Sequence, residues 1–186
     1  MLYLYNIFKV KFNYESAMNK CVFLDRDGVL NQDTDGYIFR TEDLIMPQGT
    51  VEALQRLKRA GYMLIVVTNQ AGIAKGLYAR EDVRKCYDYL QEQCGHLLDD
   101  LYFCPHHPDH TTASLLRKPD SLMLEKAMAK YRISREHSWM IGDRERDVLA
   151  GRKAGVRTIR IAHQPAESLG DHTTRTLLEA SAVVVG

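Results

Sequence analysis

The chain has 186 residues, 45% hydrophobic and 26% charged, with four cysteines and a formal net charge of +1. That length suffices for one packed α/β domain and is too short for two large ones. A near-neutral balance excludes a broad basic field for a nucleic-acid backbone, and no run of eighteen apolar residues is present to span a membrane.

Residues 1–19 mix Tyr3, Tyr5, Phe8, Phe12 and Tyr14 with Lys9 and Lys11 and lack a small-residue cleavage site, which argues against a secretory signal. The expectation is an upstream extension, with the natural start at Met18 and one domain over 20–186. Cys21-Val22-Phe23-Leu24 is a short apolar run that stops at charged residues, as a buried parallel strand does. Val51, Leu54 and Leu57 recur at helical spacing before Gly61. Met63 to Val67 predicts a strand that hands over to Thr68-Asn69-Gln70. Glu81 to Cys94 predicts a helix with Val83, Cys86, Tyr87, Leu90 and Cys94 on one face. Leu101 to Phe103 predicts a strand, and Pro105 to Thr112, with two prolines and three histidines, a loop. Leu122 to Tyr131 predicts a helix and Trp139 to Ile141 a strand running into Gly142-Asp143. Asp147 to Ala154 predicts a short helix closed by Gly155. Val156 to Ile161 predicts a further strand, and Val183 to Val185 a last edge strand. Scattered cysteines in a chain of this size fit a reduced, cytoplasmic protein.

Strands and helices in alternation predict a Rossmann-like, doubly wound parallel sheet covered on both faces. In such sheets the polar residues just past the carboxyl ends of the strands build the site. Those positions hold Asp25 and Asp27, Thr68 and Asn69, and Asp143, with Lys118 in the loop after the third strand. Taken singly, each has a plainer reading: a turn aspartate, a capping threonine, an exposed lysine. Taken together they gather carboxylates whose repulsion a hard divalent cation relieves, and Mg²⁺ suits carboxylate oxygens and phosphoryl substrates. Thr68 and Asn69 offer donors to phosphoryl oxygens, and Lys118 a balancing charge.

Phe23-Leu24-Asp25-Arg26-Asp27-Gly28-Val29-Leu30-Asn31, Val67-Thr68-Asn69-Gln70-Ala71-Gly72-Ile73, Arg117-Lys118-Pro119 and Ile141-Gly142-Asp143 resemble the four ordered motifs of the haloacid dehalogenase-like (HAD-like) superfamily. The resemblance runs from Cys21 to Ile161. With Cys104-Pro105-His106-His107-Pro108, it is nearest the branch of heptose bisphosphate and histidinol-phosphate phosphatases. It implies that Asp25 is the nucleophile that carries an aspartyl-phosphate and that Asp27 is the acid/base. It further implies that Mg²⁺ is held by the carboxylates of Asp25 and Asp143 and the backbone carbonyl of Asp27. Asp147 is the alternative acidic partner; negative charge at a helix N-terminus explains it equally well.

About 40 residues separate Asp27 from Thr68 and about 50 separate Thr68 from Lys118, too few for a large cap domain. Short loops must therefore shape the pocket. The resemblance puts Asp33, Gly36 and Tyr37, in the loop from Asn31 to Ile38, near the sugar or side-chain end of the substrate. Arg117 and Arg144 are candidates for a second phosphate, because guanidinium matches phosphate as a two-pronged donor. Relatives in this branch complete a structural zinc site with Cys-x-Cys before Arg-Lys-Pro. Here Ser114 and Leu116 stand there, leaving Cys104 and His106 as an incomplete remnant. Zinc is therefore not expected, and packing of Leu115 and Leu116 is expected to hold the loop instead. The expected activity is removal of the 7-phosphate of a heptose 1,7-bisphosphate, a lipopolysaccharide core precursor, by a monomer. The alternative is a histidinol-phosphate phosphatase, relatives of which are often fused to a second enzyme for which this chain has no room. A nucleic-acid end phosphatase fits poorly without a basic-aromatic stripe. A non-catalytic phosphate-binding module fits poorly with all five of Asp25, Asp27, Thr68, Lys118 and Asp143 present.

Overall fold

A computed structural model describes residues 18–34, 36–162 and 168–186. The expected extension therefore lies, as far as residue 17, outside the described residues. Six strands, β1 (Lys20–Leu24), β2 (Tyr62–Asn69), β3 (Asp100–Cys104), β4 (Trp139–Gly142), β5 (Arg157–Ile161) and β6 (His172–Thr174), form one sheet in the order β3-β2-β1-β4-β5-β6. Every pairing is parallel. The helices are α1 (Thr50–Arg59), α2 (Arg80–Gln93), α3 (Leu122–Tyr131), α4 (Glu145–Ala154) and α5 (Leu177–Val185).

The unbroken apolar run in β1 follows from burial on both faces. Val22 and Leu24 pack with Leu54 and Leu57 of α1, Leu90 of α2 and Val184 of α5. Cys21 and Phe23, pointing the other way, pack with Met123 and Leu124 of α3 and Ala150 and Ala154 of α4. Three helices thus cover one face and two the other, the doubly wound arrangement expected.

The chain winds outward from β1 through β2 to β3, then crosses back to place β4 on the other flank of β1. Loops leaving β1 and β4 part in opposite directions, opening a crevice at their carboxyl ends. The Asp25 N–H donates to the Ile141 carbonyl at 2.9 Å, locking the two strand tips side by side. A 3₁₀ turn at Thr41–Asp43 and irregular chain occupy the stretch between β1 and α1, and no covering domain is inserted among the described residues. No helix among them is long and apolar enough to cross a membrane.

Two elements differ from the sequence reading. Val183 to Val185 form the last turn of α5, not an edge strand. Leu177, Ala180, Ser181 and Val184 are buried at helical spacing, the Thr176 hydroxyl accepts from the Glu179 N–H at 3.1 Å, and the helix packs on α1. Tertiary burial overrides the strand preference of three consecutive valines. The true edge strand is β6, mostly exposed and polar, with no apolar alternation to betray it. Helix α4 also starts two residues early, at Glu145, which makes Asp147 part of its first turn.

Candidate active site

The turn after β1 brings Asp25 into the crevice almost wholly buried. Its Oδ1 accepts from the Arg26 N–H at 2.7 Å and lies 3.0 Å from Lys118 Nζ. Lys118 Nζ also lies 2.6 Å from Asp147 Oδ1, an ion pair, and donates to the Val67 carbonyl at 2.8 Å. Burial works against the charge on Lys118, yet Asp147 and Asp25 outweigh it and raise the ammonium's proton affinity. Burial pushes the Asp25 carboxyl up to about 7; Lys118 opposes the rise, and Asp147 and Asp27 add to it.

Asp143, just past β4, completes the cluster. Among the described residues, Asp25, Asp143 and Asp147 are the one group of three potential ligand side chains, each offering an atom within 4.8 Å of the others. Burial and the nearby Asp147 charge raise Asp143 as well. The close approach depends on Gly28, whose φ is +78° and at which a Cβ would sit 2.6 Å from Asp143 Cγ. Three carboxylates gather here, Asp25 and Asp147 on Lys118 and Asp143 on the more exposed Arg144, a concentration of negative charge that a divalent cation would relieve. The donor set, all oxygen, fits magnesium.

Asp147 caps the start of α4, as its plainer reading expects, and also pairs with Lys118. Its Oδ2 accepts from the Arg144 N–H at 3.0 Å at the start of α4, while Oδ1 holds Lys118. Asp27 stands apart from the cluster, its side chain 27% exposed against 4% for Asp25. Arg26 grips it with Nε at 3.0 Å and Nη2 at 2.9 Å, and Asn31 Nδ2 donates to it at 3.1 Å. Thr68 Oγ1 accepts from Gln70 Nε2 at 2.9 Å. The Asn69 side chain donates to the Lys118 carbonyl at 2.9 Å and accepts from the Lys118 N–H at 3.0 Å, clamping that loop to the end of β2.

Arg144 reaches across to Asp33 at 2.6 Å and to Asp143 at 2.8 Å, tying the Asn31–Ile38 loop to the tip of β4. A cleft of about 620 Å³ opens beside this clasp, lined by Gly28, Asp33, Asp143, Arg144, Arg160 and Arg175 among others. Asp25 and Lys118 do not line it; they lie buried beside its end at Asp143. Gly36 and Tyr37 are exposed on the loop, and Tyr37 packs at 6.1 Å from the Tyr78 ring. Arg117 does not join Arg144: its Nη1 donates to the His106 carbonyl at 3.4 Å, and partial burial lowers its proton affinity.

Cys104 is buried, and its Sγ lies 3.8 Å from the His106 carbonyl oxygen. Of the two leucines expected to hold the loop by packing, Leu116 packs against the core beneath α3, but Leu115 is 67% exposed and contributes only its carbonyl, which accepts from the Leu122 N–H at 3.3 Å. A leucine side chain cannot serve the core when the preceding turn points it outward, and sequence alone does not set that direction. Sequence reasoning assigned no role to Arg26, Gln70 or Tyr78. The first two lie inside the quoted motifs; Tyr78 carries no signal beyond its position after a glycine-rich stretch.

The HAD-hydrolase-like family model matches residues 115–178. D-glycero-beta-D-manno-heptose-1,7-bisphosphate 7-phosphatase of Helicobacter pylori (strain J99) is 42% identical over 143 residues, 75% of this chain and 80% of the relative. D-glycero-alpha-D-manno-heptose-1,7-bisphosphate 7-phosphatase of Burkholderia mallei is 40% identical over 148 residues, 75% of this chain and 78% of the relative. Among solved structures, D,D-heptose 1,7-bisphosphate phosphatase from B. bronchiseptica, complexed with magnesium and phosphate, superposes with a TM-score of 0.81. It is 26% identical and the match covers 89% of this chain and 98% of that one. With this similarity spread over most of both chains, and with the strand order and acidic crevice described above, the protein belongs to the HAD-like hydrolases, in the family of heptose bisphosphate phosphatases.

Proposed function

We propose that the protein is a magnesium-dependent phosphomonoesterase that removes the 7-phosphate of D-glycero-D-manno-heptose 1,7-bisphosphate through an aspartyl-phosphate on Asp25. The observation that carries this reading is the convergence of Asp25, Asp143 and Asp147 around Lys118 at the crossover point of the sheet. The substrate follows from the names of relatives covering most of their own length; these are named for both anomers, so the anomer is left to experiment.

Asp25, Asp143 and the Asp27 carbonyl, with Asp147 as the alternative acidic partner, would hold a magnesium ion, whose charge would favour the ionised form of Asp25 and attract a phosphoryl group. Asp25 then attacks phosphorus in line, forming one P–O bond as the bond to the sugar oxygen breaks. Asp27 gives its proton to the departing sugar oxygen, and in the second half takes one from the water that frees orthophosphate and restores Asp25. Its greater exposure suits this role, since it must meet both the leaving group and water. Lys118 and the Thr68 hydroxyl stabilise phosphoryl oxygens, and Asn69 acts by holding the Lys118 loop in place. Arg144, on the cleft, is the better candidate for the second phosphate, with Arg117 a less direct one; Asp33, Gly36 and Tyr37 border the sugar. We place the reaction in the cytoplasm and in a monomer.

A panel of phosphomonoesters tests the reading: both anomers of the heptose bisphosphate, histidinol phosphate and simple sugar phosphates, ranked by kcat/KM with and without chelator. The heptose bisphosphates should rank first and lose turnover on chelation. Preference for histidinol phosphate would replace the substrate while keeping the chemistry, and metal-independent turnover would remove the mechanism.

A further inference from the structure

We infer that Tyr78 is a positioning residue for the Thr68 hydroxyl and the Asp27 carboxylate, acting through the amide of Gln70. The inference rests on the phosphatase reading only for what Thr68 and Asp27 do; the relay itself is geometric. Tyr78 Oη donates to Gln70 Oε1 at 2.7 Å. Gln70 Nε2 in turn donates to Thr68 Oγ1 at 2.9 Å and, more weakly, to Asp27 Oδ2 at 3.4 Å. Tyr78, Gln70 and Thr68 are all buried, so no water competes for these groups.

The direction of each bond follows from donor and acceptor inventories. An ionised carboxylate only accepts, so the Gln70 group facing Asp27 must be the NH₂, which turns Oε1 toward Tyr78. The phenol proton is then the donor to that oxygen, at 2.7 Å. With the Gln70 amide donating to Thr68 Oγ1, the Thr68 proton has no partner in the relay and is free for a phosphoryl oxygen. A reversed amide would claim that proton and put Oε1 against Asp27. Asp27 holds the amide only weakly, at 3.4 Å, so Tyr78, at 2.7 Å, is the group that keeps the amide, and hence Thr68, correctly set.

The seat of Tyr78 is built for this. A Cβ at Gly72 would run into its ring, so the backbone there comes close enough only as glycine. Phe39 stacks on the other side with ring centroids 5.1 Å apart and planes 12° apart, and Tyr37 lies at 6.1 Å. The same loop reaches Asp27 by a second route, since the Ile38 carbonyl accepts from Arg26 Nη2 at 2.7 Å. The loop expected to border the substrate is thereby linked to both groups that act on the phosphate.

The test uses Tyr78→Phe and Gln70→Met, singly and together, in the full chain with magnesium. Orthophosphate affinity by calorimetry and steady-state kcat and KM on the best phosphomonoester are the readouts. Phenylalanine keeps the ring stacking and removes only the donor. It should weaken orthophosphate binding about tenfold and lower kcat more than it changes KM. In the Gln70→Met background it should add less than about twofold. Wild-type orthophosphate affinity in Tyr78→Phe, or a full additional loss in the double variant, overturns the relay, as does a wild-type protein that binds no orthophosphate. A wild type that binds orthophosphate but hydrolyses nothing instead defeats the phosphatase reading, and the affinities of the variants still decide the relay.

Discussion

Replacing Gly28 with alanine would place a methyl carbon 2.6 Å from Asp143 Cγ and 2.7 Å from its Oδ2, at a backbone φ of +78°. Two penalties combine. The left-handed backbone costs a non-glycine residue about 1–2 kcal/mol. The methyl then forces Asp143 to swing, which breaks its 2.8 Å pair with Arg144 and moves one of three carboxylates off the cluster. Gly95 provides the control: its φ is +69° with nothing within 4 Å of an added Cβ, so Gly95→Ala carries the backbone penalty alone. Urea denaturation without metal should show both variants destabilised by about 1–2 kcal/mol, because moving Asp143 also relieves repulsion from Asp147 and offsets the lost ion pair. Magnesium titration of activity should separate them. Gly28→Ala should need about 10- to 100-fold more magnesium, the range for disturbed metal surroundings, and Gly95→Ala no more than wild type. Equal magnesium requirements in the two variants would show that Asp143 needs no glycine beside it and would refute the reasoning.

Asp25→Asn should abolish turnover and also remove one pH trend from the stability of the metal-free protein. Burial pushes the folded Asp25 carboxyl up from an ordinary 3.8 to about 7, so the folded state binds more protons between those values and stability falls as pH rises through that window. Denaturation at several pH values should show wild type losing ground to Asp25→Asn from about pH 4 to about pH 7, by up to about 4 kcal/mol; parallel curves would deny the shift. Lys118→Met leaves Asp25 and Asp147 without their shared cation and should destabilise the metal-free protein by about 3–5 kcal/mol, with little change in urea midpoint counting against the ion triad. Asp27→Asn should slow both formation and hydrolysis of the aspartyl-phosphate in rapid-quench experiments, and full-rate hydrolysis would reassign the acid/base. A chain begun at Met18 should keep its activity and melting temperature, since it retains the first bonds among the described residues, those of Asn19, whose N–H donates to the Arg132 carbonyl at 2.9 Å; a clear loss in either would give the preceding segment a role.

The residues that were legible in the sequence are those whose place the backbone alone decides. Asp25 and Asp143 each follow a buried strand, and a parallel sheet with crossover connections leaves little choice about where such residues emerge. Their meeting needed only the strand order, in which β1 lies between β2 and β4. The residues that were not legible depend on side-chain direction. Asp147 read equally as an alternative acidic partner and as ordinary negative charge at a helix start, and only the inward turn of the first residues of α4 presents it to Lys118. Arg144 and Arg117 were alike on paper, each beside a motif residue, yet one clasps Asp33 across the crevice and the other leans on the His106 backbone. The valines of α5 misled for the related reason that local preference is weaker than burial against α1. Sequence motifs therefore locate the polar residues gathered at the strand ends well, because the sheet fixes where those ends emerge. They locate substrate discrimination poorly, because a cleft is shaped by loops whose side chains answer to neighbours far away in the chain. Substitutions at Asp33, Arg144, Arg160 and Arg175 should consequently alter which phosphate ester is preferred while the reaction at Asp25 stays the same.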